Sequence, residues 1–179
     1  MPSLYPTLLG PSWSSLALPV QRLHEGAPLA RGVFAVRRGA SLAARLLAAL
    51  LRMPPAAPAT PIDLRVERRG PVERWHRRFG ALGLLTTQWA DGAFLVEGMG
   101  LVQCWFRLRA DAGALVFEQV RATLGWGRFT LRLPRALAPL VEGRAEPVGS
   151  RVRVDVRIHA PLLGLLVAYE GEVTPEEAR

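Results

Sequence analysis

The chain has no lysine, no asparagine and a single cysteine among 179 residues. Each shortage excludes something. One thiol, Cys104, makes neither an internal disulfide nor a structural zinc site. It lies in the apolar run "LVQCWFRL", which predicts a buried, inert thiol. With lysine absent, all 23 basic residues are arginine. That is the mark of a GC-rich coding bias, and it weakens what the net charge of +8 would otherwise say about nucleic acid. The arginines are dispersed except between Arg65 and Arg78. The three histidines stand apart with no metal-ligand spacing, so no metal site is expected. G-x-G-x-x-G, a P-loop and G-x-S-x-G are all missing, so no cofactor and no nucleophilic triad is expected. The longest apolar helical stretch, "SLAARLLAALLRM", is too short to cross a bilayer and carries Arg45 and Arg52. "MPSLYPTLLG" has no basic leader before its apolar residues, and a cytoplasmic location is expected.

What is present is half apolar, enough for a sizeable core. One domain over 1–179 is expected, with a helical N-terminal segment over 1–30 and a β-rich core over 32–174. "LPVQRLHEG" reads as a helix between Pro19 and Gly26. "GVFAVRR" reads as a strand with Phe34 and Val36 on one face. Ser41 caps a helix running to about Met53, which Pro54 and Pro55 stop. Its apolar stripe is Leu42, Leu46, Ala49, Leu50 and Met53. "RMPPAAPATP" reads as a linker. After it the period becomes two, with hairpin signals at Asp91-Gly92 and Asp111 to Gly113, and "RALAP" reads as one helical turn. The expected fold is mainly β: a curved antiparallel sheet or barrel-like domain of about 8–10 strands with one main helix at about 41–53.

The stretch "GPVERWHRRFG" carries the functional reading. Pairing it with "IDLRVER" across a turn at Arg69-Gly70 places Val66 opposite Glu73, Leu64 opposite Trp75 and Ile62 opposite Arg77. Glu73, Trp75, Arg77 and Phe79 then face inward, while Arg74, His76 and Arg78 face solvent. Two charges on an inner face each need a partner. They reach the barrel mouth, or pair with acids and bases of other strands, Glu146 and Glu170 being candidates for Arg77, or they meet a ligand. His24 is a candidate base or a packing histidine at a helix end. Trp126, between two glycines, is a candidate pocket lining.

The chain resembles a bacterial family of domains of unknown function, number 4166. The resemblance runs through "LYPTLLGPSW", "LPVQRLHEG", "ERWHRRFG", "LPRALAP" and "DVRIHAPLLGLLVAYEG". Trp75, Arg77 and Phe79 match its W-x-R-x-F pattern, and Leu23-His24 and Tyr169-x-Gly171 also match. The resemblance implies no established activity. It implies an association with saccharopine-dehydrogenase-like oxidoreductases, so an oxidoreductase partner is one expectation. The leading expectation is a module that binds a hydrophobic or amphipathic small molecule in a sheet-lined pocket, with Glu73, Trp75, Arg77, Phe79, Trp126, Tyr169 and His24 as ligand-binding candidates. The alternatives are a cyclase- or isomerase-type enzyme using Glu73 or His24, and a protein-interaction partner. Nucleic-acid binding is not expected, because aromatics and arginines share no outward stripe.

Overall fold

A computed structural model describes residues 3–25, 29–126 and 129–176, with the side chains of Trp126 and Phe129 outside that description. Gly26, read above as a helix stop, falls outside it too. The chain opens on α1 (Leu4–Leu9), a 3-10 segment (Gly10–Ser15) and α2 (Leu18–Glu25). β1 (Leu29–Arg38) leads to α3 (Leu42–Leu50), and everything after α3 is strand. These strands are β2 (Ala57–Arg69), β3 (Val72–Phe79), β4 (Leu82–Asp91), β5 (Phe94–Met99) and β6 (Val102–Asp111). They continue with β7 (Ala114–Trp126), β8 (Phe129–Arg132), β9 (Leu140–Val148), β10 (Arg151–Ala160) and β11 (Gly164–Glu176).

The strand order is β6-β5-β4-β3-β2-β1-β11-β10-β9-β7, and β6 also pairs with β7. The sheet therefore closes into a ten-stranded antiparallel barrel, with β8 added alongside β7. Closure removes the exposed edges that a ten-stranded open sheet would leave. Local turns drive it. β2 to β7 are joined by two-residue turns, as are β9 and β10. Most open on a glycine with φ near +60°, as Gly70 (62°) does, which suits the type II′ hairpin whose twist matches the strands.

The barrel-like expectation holds, and three details differ. The β2–β3 register is two residues from the expected one. Val66 faces Trp75, Leu64 faces Arg77 and Ile62 faces Phe79, because the turn is Gly70-Pro71 and not Arg69-Gly70. A shift of two preserves the faces, so Glu73, Trp75 and Phe79 are buried and Arg78 is exposed, as the alternation required. The proline stretch is shorter as a linker than it reads. β2 begins at Ala57, and a register shift in the β1–β2 pairing between Phe34 and Val36 lies beside its proline-rich start.

The third difference is the face of α3. Ser41 caps the helix as expected, accepting from the Ala44 backbone N–H. Yet Ala44 and Ala48 are the residues it buries, while Leu42, Leu46 and Leu50 are 71%, 63% and 78% exposed. The helix crosses so close to the strands that even a Cβ placed on Gly39 would sit 3.1 Å from the Ala44 Cβ. Only alanine fits that approach, so the leucines turn outward.

The arginines mostly decorate the outer wall. Arg31 and Arg78 share Asp63, Arg109 bonds Glu118, and Arg153 reaches Glu172. Such exposed pairs contribute little stability each, but they disperse the positive charge. No described helix is long and apolar enough to cross a membrane.

A candidate binding cavity in the barrel

Period-two alternation points one residue in two at the barrel axis. On β10 these are Val152, Val154, Val156 and Ile158, with Arg151, Arg153, Asp155 and Arg157 outside. Eight strands leave an interior that side chains just fill, and ten leave more. Here the interior holds a cavity of about 170 Å³, lined mostly by aliphatic and aromatic side chains. That is the size of an apolar void that admits one aromatic ring.

One end of the barrel is plugged by α1 and α2. Tyr5 sits at the centre of the plug, fully buried, and its hydroxyl donates to Gln88 Oε1 at 2.7 Å. Its ring lies edge-on to those of His24 (4.7 Å), Trp75 (6.0 Å) and Phe117 (6.3 Å). Arg68 ties the plug down. It donates to Ser3 Oγ, to the Glu25 carbonyl and to Glu73 Oε1. Glu73 also accepts from the Trp75 indole at 3.2 Å.

A polar cluster interrupts the apolar lining. Arg77 donates to Thr86 Oγ1 at 2.6 Å and to Glu97 Oε1 at 3.2 Å from both terminal nitrogens. Its guanidinium also lies 5.3 Å from the Trp75 ring centre. Burial is the largest single influence and opposes the charge on Arg77, but Glu97, together with Tyr169 and Tyr5, more than offsets it, and the net shift is upward. The cluster is thus an ion pair with no excess charge. Tyr169 also lines the cavity, and burial pushes its hydroxyl pKa up. No side chain among the described residues hydrogen-bonds that hydroxyl. Cys104 lines the wall nearby, its thiol pushed up to about 12 by burial, as expected of an inert cysteine.

His24 is a neutral cavity wall. Burial lowers its pKa to about 4, the Val20 carbonyl partly offsets this, and Arg77 lowers it further. The contact of Nδ1 with the Val20 carbonyl, at 2.9 Å, fixes the proton on Nδ1 and leaves Nε2 as an acceptor. The sign of the resulting pH dependence follows. The folded pKa lies below the ordinary value near 6.5, so the unfolded chain binds the proton more readily. The contribution of His24 is complete above about pH 6.5 and is lost as pH falls toward 4. Its full size is on the order of 3 kcal/mol. Denaturant unfolding at pH 7.5 and pH 4.5 should show a drop of about 2–3 kcal/mol in the wild type, and His24→Gln should remove most of that difference.

The structure brings Trp75, Arg77, Tyr169 and His24 together on the cavity. Phe79 stands behind them, 6.2 Å from the Phe34 ring and 5.3 Å from the Tyr169 ring. Glu73 is buried, held by Arg68 and Trp75, and is not part of the lining. Trp126 pairs through its backbone with Phe129. The partner of Arg77 is Glu97. Glu146 instead pairs with Arg144 and Arg153 outside, and Glu170 lies 4.0 Å from Arg37 on the outer wall. Sequence reasoning missed Tyr5, Thr86, Gln88 and Glu97. For Thr86 and Gln88 a signal existed, since both alternate in phase with Leu82 and Leu84. Leu85 and Trp89 on the opposite phase mask it.

Fold and cavity together define a closed antiparallel β-barrel domain, compatible with a ligand held inside. The chain belongs to the family Domain of unknown function (DUF4166), whose model matches residues 16–173. No curated protein matches it in sequence.

Proposed function

We propose that the barrel binds one hydrophobic or amphipathic small molecule, and that the polar part of this molecule is neutral. The observation behind this is the pairing of Arg77 with Glu97 inside an otherwise apolar cavity. A lone arginine would select a carboxylate. An arginine already neutralised by Glu97 offers no net charge, and burying an anion beside it is costly. Hydrogen bonding remains available from the Tyr169 hydroxyl and to His24 Nε2. Those groups suit an alcohol, a phenol or a carbonyl on a hydrocarbon or aromatic frame. Trp75 forms part of the apolar wall with Phe79 packed behind the lining, Glu73 holds the plug, and Trp126 is a further candidate contact. Acid–base catalysis is not favoured, since a histidine with a pKa about 4 is a weak base at neutral pH. The domain is proposed to act as one unit over 1–179, an oxidoreductase remaining a candidate recipient of its ligand.

Native mass spectrometry of freshly purified protein tests this reading. A single adduct that organic extraction recovers as a neutral apolar molecule is the expected result. A recovered polar anion would contradict it.

A further inference from the structure

The two ends of the barrel differ in a way the cavity does not explain. At the plug end the strands are joined by Gly70-Pro71, Gly92-Ala93, Ala112-Gly113 and Gly149-Ser150, none of them a large apolar pair. Leu18 and Leu29 are the exposed leucines there. At the α3 end, exposed leucines recur on one connection after another. Leu42, Leu46 and Leu50 lie on α3, Leu101 on the β5–β6 turn (54% exposed), Leu137 before β9 (62%) and Leu162 on the β10–β11 turn (96%). Large exposed apolar clusters mark interaction surfaces, whereas scattered single residues do not.

Charge at this end has one sign. Residues 39–56, 80–81, 100–101, 133–139 and 161–163 contain no Asp or Glu. Arg45, Arg52 and Arg135 are exposed among the leucines. No carboxylate pairs with these three among the described residues, in contrast to the paired arginines of the wall. Leucine together with unpaired arginine on a helix and on turns at the same end of the barrel is the composition of a surface that lies on anionic lipid. The same segment reaches the cavity, because Leu51 and Met53, immediately after α3, line it.

We propose that the α3 end of the barrel docks on the surface of an anionic lipid bilayer, its leucines at the acyl boundary and Arg45, Arg52 and Arg135 against the headgroup phosphates. Docking goes beyond the ligand reading and does not depend on it, since it requires only the exposed face.

The test is co-sedimentation of the full chain with vesicles of phosphatidylcholine alone and of phosphatidylcholine with about one-third phosphatidylglycerol. Binding is expected to the anionic vesicles and to weaken as salt rises. Leu46→Asp and Leu50→Asp should each lower it about tenfold or more. Leu85→Asp, on the barrel wall, should leave it unchanged. Arg45→Gln with Arg52→Gln supplies a second variant without an introduced acid, and it should bind anionic vesicles more weakly. Equal loss in Leu85→Asp, or no binding by folded wild-type chain, overturns the proposal. So does a concentration-dependent dimer that Leu46→Asp dissociates in the absence of vesicle binding, which would assign the face to a second copy.

Discussion

Arg77→Met alone should cost the fold about 3 kcal/mol, and Arg77→Met combined with Glu97→Leu should recover most of that loss. The single change leaves the Glu97 carboxylate inside the barrel without its cation. Breaking a buried pair costs roughly 3–5 kcal/mol, and the lower end applies because the two side chains keep 16% and 21% exposure. Thr86 also loses its 2.6 Å bond from Arg77, and a hydroxyl alone cannot satisfy a carboxylate's desolvation. The double change replaces a polar pair by apolar groups of similar length in an apolar lining, which is often neutral. Denaturant unfolding of wild type, both single variants and the double variant closes the cycle. Two additive single losses would show that the pair is not coupled, and the neutral-cluster reading would lose its basis.

Gly171→Ala should be at least as damaging, at about 3 kcal/mol or more. Gly171 sits opposite Phe34 in the β1–β11 pairing, which joins the first and last strands of the barrel. A Cβ there would lie 2.2 Å from the Val33 carbonyl oxygen, 2.3 Å from Phe34 Cδ1 and 2.8 Å from the Phe34 Cα. Two of those atoms are backbone, so relief requires moving one strand away from the other. Phe34 in turn stacks on Tyr169 at 5.9 Å, which accounts physically for tyrosine and glycine at alternate positions of one strand. Gly83→Ala is the control. A Cβ at Gly83 meets nothing within 4 Å, and its cost should stay within about 0.5 kcal/mol. Thermal melts of the two variants are the measurement. Equal stability would show that the seam tolerates a wider spacing.

Much of the barrel was legible in the sequence, for a simple reason. Two-residue turns and strict alternation are local signals, and each strand announces its own faces. That is why Trp75, Arg77 and Phe79 could be placed inward even though the register with β2 was two residues away from the true one. The partner of Arg77 was not legible, because pairing across strands depends on how three strands lie side by side. Arg77, Thr86 and Glu97 meet across β3, β4 and β5, and no spacing in the sequence encodes that meeting. The helix failed for a different reason. Its leucine stripe is the stronger apolar signal, but close approach to β1 and β11 rewarded the smaller alanine face. Where an apolar stripe loses the contest for the core, the loser becomes surface, and here that surface adjoins Leu51 and Met53 of the cavity lining.

The proposed occupant of the barrel interior is a neutral apolar molecule. Calorimetric titration with phenol and with benzoate, on wild type and on the cavity-filling Val156→Trp, separates a neutral occupant from an anionic one of the same single-ring size. Val156 lines the cavity, and Val154→Phe serves if the larger change disturbs folding. The expected result is saturable binding of one phenol per chain. Binding of the benzoate anion should be about tenfold weaker or more, and the filled variant, with an unchanged circular dichroism spectrum, should bind neither. Tighter binding of the anion, or undiminished binding in the filled variant, would contradict the claim.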